Sequence, residues 1–241
     1  MSVKDNLLSI IRLGFVNPSL MILAVNVKSS KRTFLSYSTL YSLVKNYLTI
    51  NRRSSHPLQV AEFGVGRGGS ATILAWLVDR YKGNLTLFDV FSRIPAPTEQ
   101  DGERALKRYK YILNQEQGDY YGNIENLLDV VLCDLDKVCQ RERIEIVKGK
   151  YEDILENLKD DKAFDLVHID CDWYESSKAV FSYLLRRLET GAVLQIDDYS
   201  NWEGSRRAFQ DTVWLKPYQT HIVDGALIID TSKTNIEQTI G

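Results

Sequence analysis

The sequence predicts an α/β fold: a doubly wound, mostly parallel sheet that ends in an antiparallel hairpin and carries a helical cap. Three observations lead there. Short apolar runs at 60–63, 85–90, 144–147, 166–169 and 193–196 alternate with stretches of helical period. The first run enters a glycine-rich turn that opens onto a helix pattern containing Ile73, Leu74, Trp76 and Leu77. Near the end, Asp224-Gly225 separates two β-prone runs, 221–223 and 226–229, and this dipeptide is a strong hairpin signal.

The elements follow in order. Residues 1–57 form an N-terminal helical segment, because Phe34, Tyr37, Tyr41, Val44 and Leu48 recur at three- and four-residue steps. The first two strands follow, with Asp89 near the end of the second. Residues 98–142 break the rhythm with helical spacing at 106–112 and 124–138, joined by the loop signal Gln117-Gly118-Asp119, and are expected to be an inserted helical cap. Strands at 144–147 and 166–169 precede a helix over about 176–188, for which Gly191 is the expected exit, and then the strand at 193–196.

With 241 residues and 44% hydrophobic content, the chain is expected to form one domain, 1–241, around a sizeable core. Thirty basic residues against 32 acidic ones leave a net charge of -2, which offers nucleic acid or an anionic membrane no broad electrostatic attraction. No apolar stretch approaches the roughly 18–20 residues of a membrane span, and the N-terminus lacks a secretory pattern. Cys133, Cys139 and Cys171 are odd in number and show no paired metal-ligand spacing, which fits reduced thiols in a cytoplasmic protein.

Gly64-Val65-Gly66-Arg67-Gly68-Gly69 satisfies G-x-G-x-x-G, in which missing β-carbons permit a tight turn and close approach of a ligand to the backbone. On its own the motif also describes an empty strand-to-helix turn. Asp89, at the end of the next strand, is placed to accept hydrogen bonds from both ribose hydroxyls of an adenosine-containing cofactor in a Rossmann-like sheet. A nicotinamide cofactor would fit as well. Glu62, within the turn, can act near the cationic end of S-adenosylmethionine, or satisfy strand-end amides. Ser70 offers a hydroxyl, or a cap, at the helix start. The terminal hairpin tilts the choice toward S-adenosylmethionine, since the nicotinamide fold does not call for one.

Asp170 and Asp197 each follow an apolar strand, and their spacing fits one strand-helix-strand crossover. Parallel neighbours about 4.8 Å apart would bring Asp170, Asp197 and Asp198 together, and such like charges need compensation. Three hard oxygen donors suit Mg²⁺ or Mn²⁺ better than zinc. The bland alternative is that these aspartates make helix caps and Asx-turns, with Asp172 and Glu175 as helix-start residues. His168, inside a strand, is read as a packed, hydrogen-bonded histidine rather than a base.

The motifs at 62–70, 89–95, 168–176 and 196–199 together resemble the macrocin O-methyltransferase family, whose members methylate sugar hydroxyls of bacterial natural products. They resemble more loosely the metal-dependent catechol enzymes. The resemblance runs from about Leu58 to the C-terminus. It implies metal ligation by Asp170, Asp197 and Asp198, Asp172 as the base, and Asp89 on the cofactor ribose. It further implies that Glu62, Gly64, Val65, Gly66, Gly68, Ser70, Phe91, Ser92 and Asp170 contact the cofactor, together with a mobile helical lid and a homodimer. Gly66 departs from the family, where a bulkier residue is usual, and the cap is longer.

The expected function is Mg²⁺- or Mn²⁺-assisted transfer of a methyl group from S-adenosylmethionine to a hydroxyl of a sugar or natural-product-like small molecule, with a vicinal diol favoured because it chelates the ion. Trp173, Tyr174, Tyr199 and Trp202 are expected along the acceptor pocket. The alternatives are a nicotinamide-dependent oxidoreductase, which leaves the aspartates unexplained, and a non-catalytic nucleotide-binding protein on the same fold.

Overall fold

The computed structural model describes residues 3–114, 124–158, 162–212 and 218–234. Three helices open the chain: α1 (Val3–Val16), α2 (Pro18–Ser29) and α3 (Tyr37–Arg53). Asn17 caps α2 by accepting from the Ser19 amide at 2.9 Å, with Pro18 in the first turn, where its missing N–H costs nothing. Ser36 caps α3 in the same way, accepting from the Thr39 amide at 3.1 Å. The buried stripe Leu40, Leu43, Val44, Tyr47 and Ile50 holds α3 against the sheet.

The alternating part then runs β1 (Gln59–Phe63), α4 (Gly69–Tyr81), β2 (Asn84–Asp89), α5 (Gly102–Leu113), α6 (Leu127–Leu135), β3 (Ile144–Lys148), α7 (Tyr151–Ile154), β4 (Phe164–Ile169), α8 (Tyr174–Leu184), β5 (Leu188–Ile196) and α9 (Glu203–Asp211). The hairpin β6 (Tyr218–Val223) and β7 (Ala226–Thr234) closes the sheet. The strand order is β3-β2-β1-β4-β5-β7-β6, with β7 antiparallel to both β5 and β6. The order reverses between β1 and β4, which opens a crevice at the carboxyl ends of those two strands. Asp224 and Gly225 have φ of 48° and 92°, the two positive values a type I′ hairpin turn requires.

One expected boundary is corrected. The helix α8 ends at Leu184, and Gly191 lies inside β5 with φ +86° rather than at a helix exit. The cause is a bulge: Phe164 pairs with Leu188 but Leu166 with Val193. Arg53 at the end of α3 donates to the Gly191 carbonyl and, at 2.9 Å, to Ser232 Oγ, so the irregular backbone is held from a second element.

Strand alternation divides the core into two layers. Val60, Leu85, Leu87, Leu166 and Val193 pack toward the N-terminal helices, α4 and α6. Ala61, Phe63, Phe88, Val167, Ile169, Leu194 and Ile196 pack toward α7, α8 and α9, where Phe63 stacks on Phe88 at 4.3 Å. A polar file interrupts the first layer: Glu62 of β1 lies in register with His168 of β4, and His168 with Gln195 of β5. All three are fully buried. His168 Nδ1 and Glu62 Oε1 are 2.8 Å apart, and Gln195 Nε2 donates to the Thr39 carbonyl at 3.2 Å.

Within 98–142, α5 stands over the crevice while α6 packs on α4, with Leu127, Val131 and Leu135 joining the first layer. The root of α5 is pinned by Asp101, which accepts from the Thr98 amide at 2.7 Å and the Tyr174 amide at 2.6 Å. A Cβ on Gly204 would collide with the Asp101 carboxylate, so α9 approaches this anchor as closely as a backbone can. The loop signal Gln117-Gly118-Asp119 lies outside the described residues. No helix among the described residues is long and apolar enough to cross a membrane.

Candidate active site

A cavity of about 530 Å³ occupies the crevice, walled by the segments that follow β1 to β5, by residues 32–35 and by α5. Gly64 leaves β1 with φ +90°, and its Cα faces the Asp170 carbonyl so closely that a side chain has no room. Ladder bonds run on past the strands: the Gly64 amide donates to the Phe88 carbonyl at 3.1 Å, Asp170 to Phe63 at 2.8 Å and Asp197 to Ile169 at 2.9 Å. These bonds fix the three loop entrances relative to one another. Gly64, Val65, Gly66, Ser70, Asp89, Ser92 and Asp170 all line the cavity, together with Asp172, Asp197 and Asp198.

Asp89 does more than face a ligand. Its Oδ2 accepts from the amides of Val65 at 2.7 Å and Gly66 at 3.0 Å, and its Oδ1 from Phe91 at 2.6 Å. The carboxylate therefore clamps the glycine turn to the end of β2. Burial raises its pKa against the opposing pull of these three amides. Asp89→Asn leaves one oxygen for three donors, so one buried amide must face an NH₂ group. The expected loss is about 2 kcal/mol of stability, read as a lower denaturant midpoint at unchanged slope.

The aspartates at the ends of β4 and β5 meet. Asp198, 6% exposed, accepts at its Oδ2 from the Asp172 amide at 3.0 Å. Burial, then the neighbouring carboxylates, push Asp170, Asp172 and Asp198 well above the usual carboxylate range, and burial raises Asp197. Asp197 Oδ1 is buried with no hydrogen-bond partner among the described residues. This oxygen and the neighbouring Asp170 and Asp198 carboxyls suit a hard cation in chemistry. Among the described residues, no three acidic, histidine or cysteine side chains already converge as a ligand set.

A methyltransferase-domain family model matches residues 61–199, the stretch from β1 to just past Asp198. The chain belongs to this methyltransferase family. Solved structures share the fold of this methyltransferase. The O-methyltransferase NovP superposes with a TM-score of 0.67 at 17% identity, covering 84% of this chain and 82% of its own. The calicheamicin methyltransferase CalS11 does so with a TM-score of 0.64 at 18% identity, covering 95% and 94%. TomG from Streptomyces achromogenes, an O-methyltransferase solved with S-adenosylmethionine, gives 0.55 at 15% identity, covering 87% and 89%. No curated protein sequence matches the chain.

Three residues expected at the methyltransferase cofactor do not line the cavity. Glu62 is turned into the first core layer, where His168 takes its Oε1. Gly68 starts α4 with φ +76°, and its Cα abuts Val131 of α6. Phe91 is 3% exposed in the first layer and holds a left-handed φ of 46°, unusual for a bulky residue, because Asp89 grips its amide. His168 is buried and hydrogen-bonded, as the sequence indicates; burial opposes its charge, but Glu62 together with Asp197 and Asp198 outweighs it and the pKa rises.

Of the aromatic residues expected at the acceptor, Trp202 lines the cavity. Trp173 sits behind it, edge-to-face at 5.2 Å, with its indole N–H donating to the Pro95 carbonyl at 2.9 Å. Tyr174 reaches Asp211 at 2.8 Å, and Tyr199 packs on Phe209. The sequence reading missed Lys150, Tyr151 and Glu152 after β3, Thr33 and Leu35 before α3, and Arg104 and Arg108 on α5. The first group had a signal, since each loop after a parallel strand opens on the same crevice. The others reach the cavity only through tertiary packing.

Proposed function

We propose that this methyltransferase moves a methyl group from S-adenosylmethionine to a hydroxyl of a small molecule, with Asp170, Asp197 and Asp198 holding a divalent cation, Mg²⁺ or Mn²⁺. The observation that carries this reading is the shared cavity: the glycine turn after β1 and the acidic cluster after β4 and β5 open into one space at the switch point. The family match favours methyl over hydride transfer, and the solved relatives named above are O-methyltransferases. The resemblance to the macrocin enzymes extends the acceptor to a sugar or similar vicinal diol.

Bound S-adenosylmethionine would supply an electrophilic methyl on sulfur, and the cation a Lewis acid that makes an alcohol proton easier to remove. The chain's own residues do the rest. The glycine turn, clamped by Asp89, offers backbone at contact distance to the cofactor, with Ser70 at the start of α4. Asp172 accepts the acceptor's proton as its oxygen attacks, and burial, by raising its proton affinity, suits it to that task. Asp172 holds a left-handed φ of 58°, a strain of the kind that concentrates at working sites. Residues 32–35 and α5 limit the entry of water, which would compete for the methyl group. A cytoplasmic homodimer completes the reading.

Calorimetry tests it. S-adenosylmethionine and S-adenosylhomocysteine should bind and NAD should not, whereas preferential NAD binding overturns the reading. Asp172→Asn should lower kcat roughly 10²- to 10⁴-fold with S-adenosylhomocysteine affinity retained, the range for loss of a general base.

A further inference from the structure

We infer that two copies of this chain meet on the outer faces of α1 and α2, each seating its Phe15 in a groove of the other. This contact would give the proposed homodimer its surface, and it does not depend on methyl transfer. Both helices carry apolar residues on opposite sides. The inward side of α1 buries Leu13, and that of α2 buries Leu20, Ala24 and Val27. On α1, Leu7, Leu8, Ile11 and Phe15 recur at three- and four-residue steps opposite Leu13, and on α2 Ile22 and Val25 stand opposite Leu20 and Val27. A helix of this kind needs cover on both sides. Phe15 is nevertheless 87% exposed, and the other five outward residues are 40% to 58% exposed.

The size and shape of this face point to a second copy. At roughly 150–200 Å² for a whole residue of this size, the exposed fractions leave on the order of 500–600 Å² uncovered. That is the upper end of the largest apolar patch on a typical monomer, about 300–600 Å². It also matches the apolar share of one side of a standard interface, which is about 800 Å² per partner and roughly 60% non-polar. Beside Phe15 lies a groove of about 420 Å³, whose walls include Arg12, Tyr41, Leu48, Arg52 and Tyr81. Two tyrosine rings and two guanidiniums make a seat for an aromatic ring, which packs on the former and takes cation–π contact from the latter. Arg12 already lies 5.7 Å over the Tyr41 ring, so this part of the wall is formed before a partner arrives. A projecting ring and a groove on one face are what a twofold contact needs, because the same patch then serves both copies. A lipid surface would use the ring but not the groove.

The test is sedimentation velocity of the full chain over a concentration series. Wild type should show a species of twice the chain mass that grows with concentration. Phe15→Ser should raise the dimer dissociation constant about 100-fold or more, since a twofold contact loses the ring twice. Asn51→Trp, which fills the groove from its own chain, should raise it about 10-fold. Ile222→Ser removes an exposed apolar side chain from β6 instead and should leave it unchanged. Unchanged far-ultraviolet circular dichroism is the folding control, and a ring this exposed is not part of the monomer's core. Wild type that stays monomeric at every concentration overturns the inference and the homodimer together and leaves methyl transfer intact. A monomer that binds vesicles of phosphatidylcholine and phosphatidylserine does the same, by giving the face to a lipid surface. A dimer undiminished in Phe15→Ser or in Asn51→Trp overturns this inference alone and moves the homodimer contact to another face.

Discussion

Gly64→Ala is expected to destabilise the protein by more than about 4 kcal/mol and to abolish cofactor binding in whatever fraction still folds. Two costs add. The residue sits at φ +90°, where an L side chain is strained by about 1–2 kcal/mol. Its Cβ would also collide with the Asp170 carbonyl oxygen and stand 2.6 Å from the carbonyl carbon. That carbonyl cannot retreat cheaply, because the Asp170 amide is the last rung of the β1–β4 ladder, 2.8 Å from the Phe63 carbonyl. Gly225→Ala is the internal control. It pays the same conformational penalty at φ +92°, but its Cβ would meet nothing nearer than 3.5 Å, so a loss of only about 1–2 kcal/mol is expected. Urea unfolding of both variants measures the difference; equal midpoints would show that the glycine turn is not pressed against β4.

Asp198→Asn should separate activity from stability. Methyl transfer should fall on the order of 10³-fold, the several kcal/mol attributed to a Lewis acid, because the amide is a poor cation ligand. The folded state should nevertheless become more stable at neutral pH. Burial and mutual repulsion raise Asp170, Asp172 and Asp198 well above their unfolded values. A carboxyl raised in this way binds more protons folded than unfolded, so wild-type stability falls as pH rises from the ordinary carboxylate value through the raised one. His168, also raised, adds stability at low pH that is lost as pH climbs through its folded value, so the two trends have the same sign. Melting temperatures of wild type and variant, followed from about pH 5 to 8 in chelator, should converge in acid and diverge in favour of the variant above it. Parallel curves would mean that Asp198 carries no such penalty.

Much of this arrangement is legible in the sequence because parallel strands announce themselves. Leu166 to Ile169 and Val193 to Ile196 read as buried runs, and the residue after each run must emerge at the crevice, so Asp170 and Asp197 could be placed beside one cavity from spacing alone. Glu62 illustrates the limit. Proximity to the glycines suggests a ligand, but strand alternation turns position 62 into the core, toward a histidine 106 residues away. Gly191 is a second case: a glycine after a helix pattern suggests an exit, whereas the bulge depends on pairing with β4 and on Arg53 from α3. Arg104 and Arg108 sit on an amphipathic helix whose polar face reads as solvated, and only the packing of α5 beside Trp202 turns that face toward the cavity.

The buried file of Glu62, His168 and Gln195 also bears on how the chain avoids folding wrongly. Hydrophobic strands tolerate mispairing, since one branched apolar residue substitutes readily for another. Sliding β1 by a single position against β4 would set Ala61 or Phe63 opposite His168 and drive the Glu62 carboxylate into the layer occupied by Phe88 and Tyr183. A carboxylate stripped of water with no partner costs far more than the pair does when made, so the slipped pairing is disfavoured. The file thus sets the register of the three central strands at the end of the sheet where the loops that line the cavity emerge.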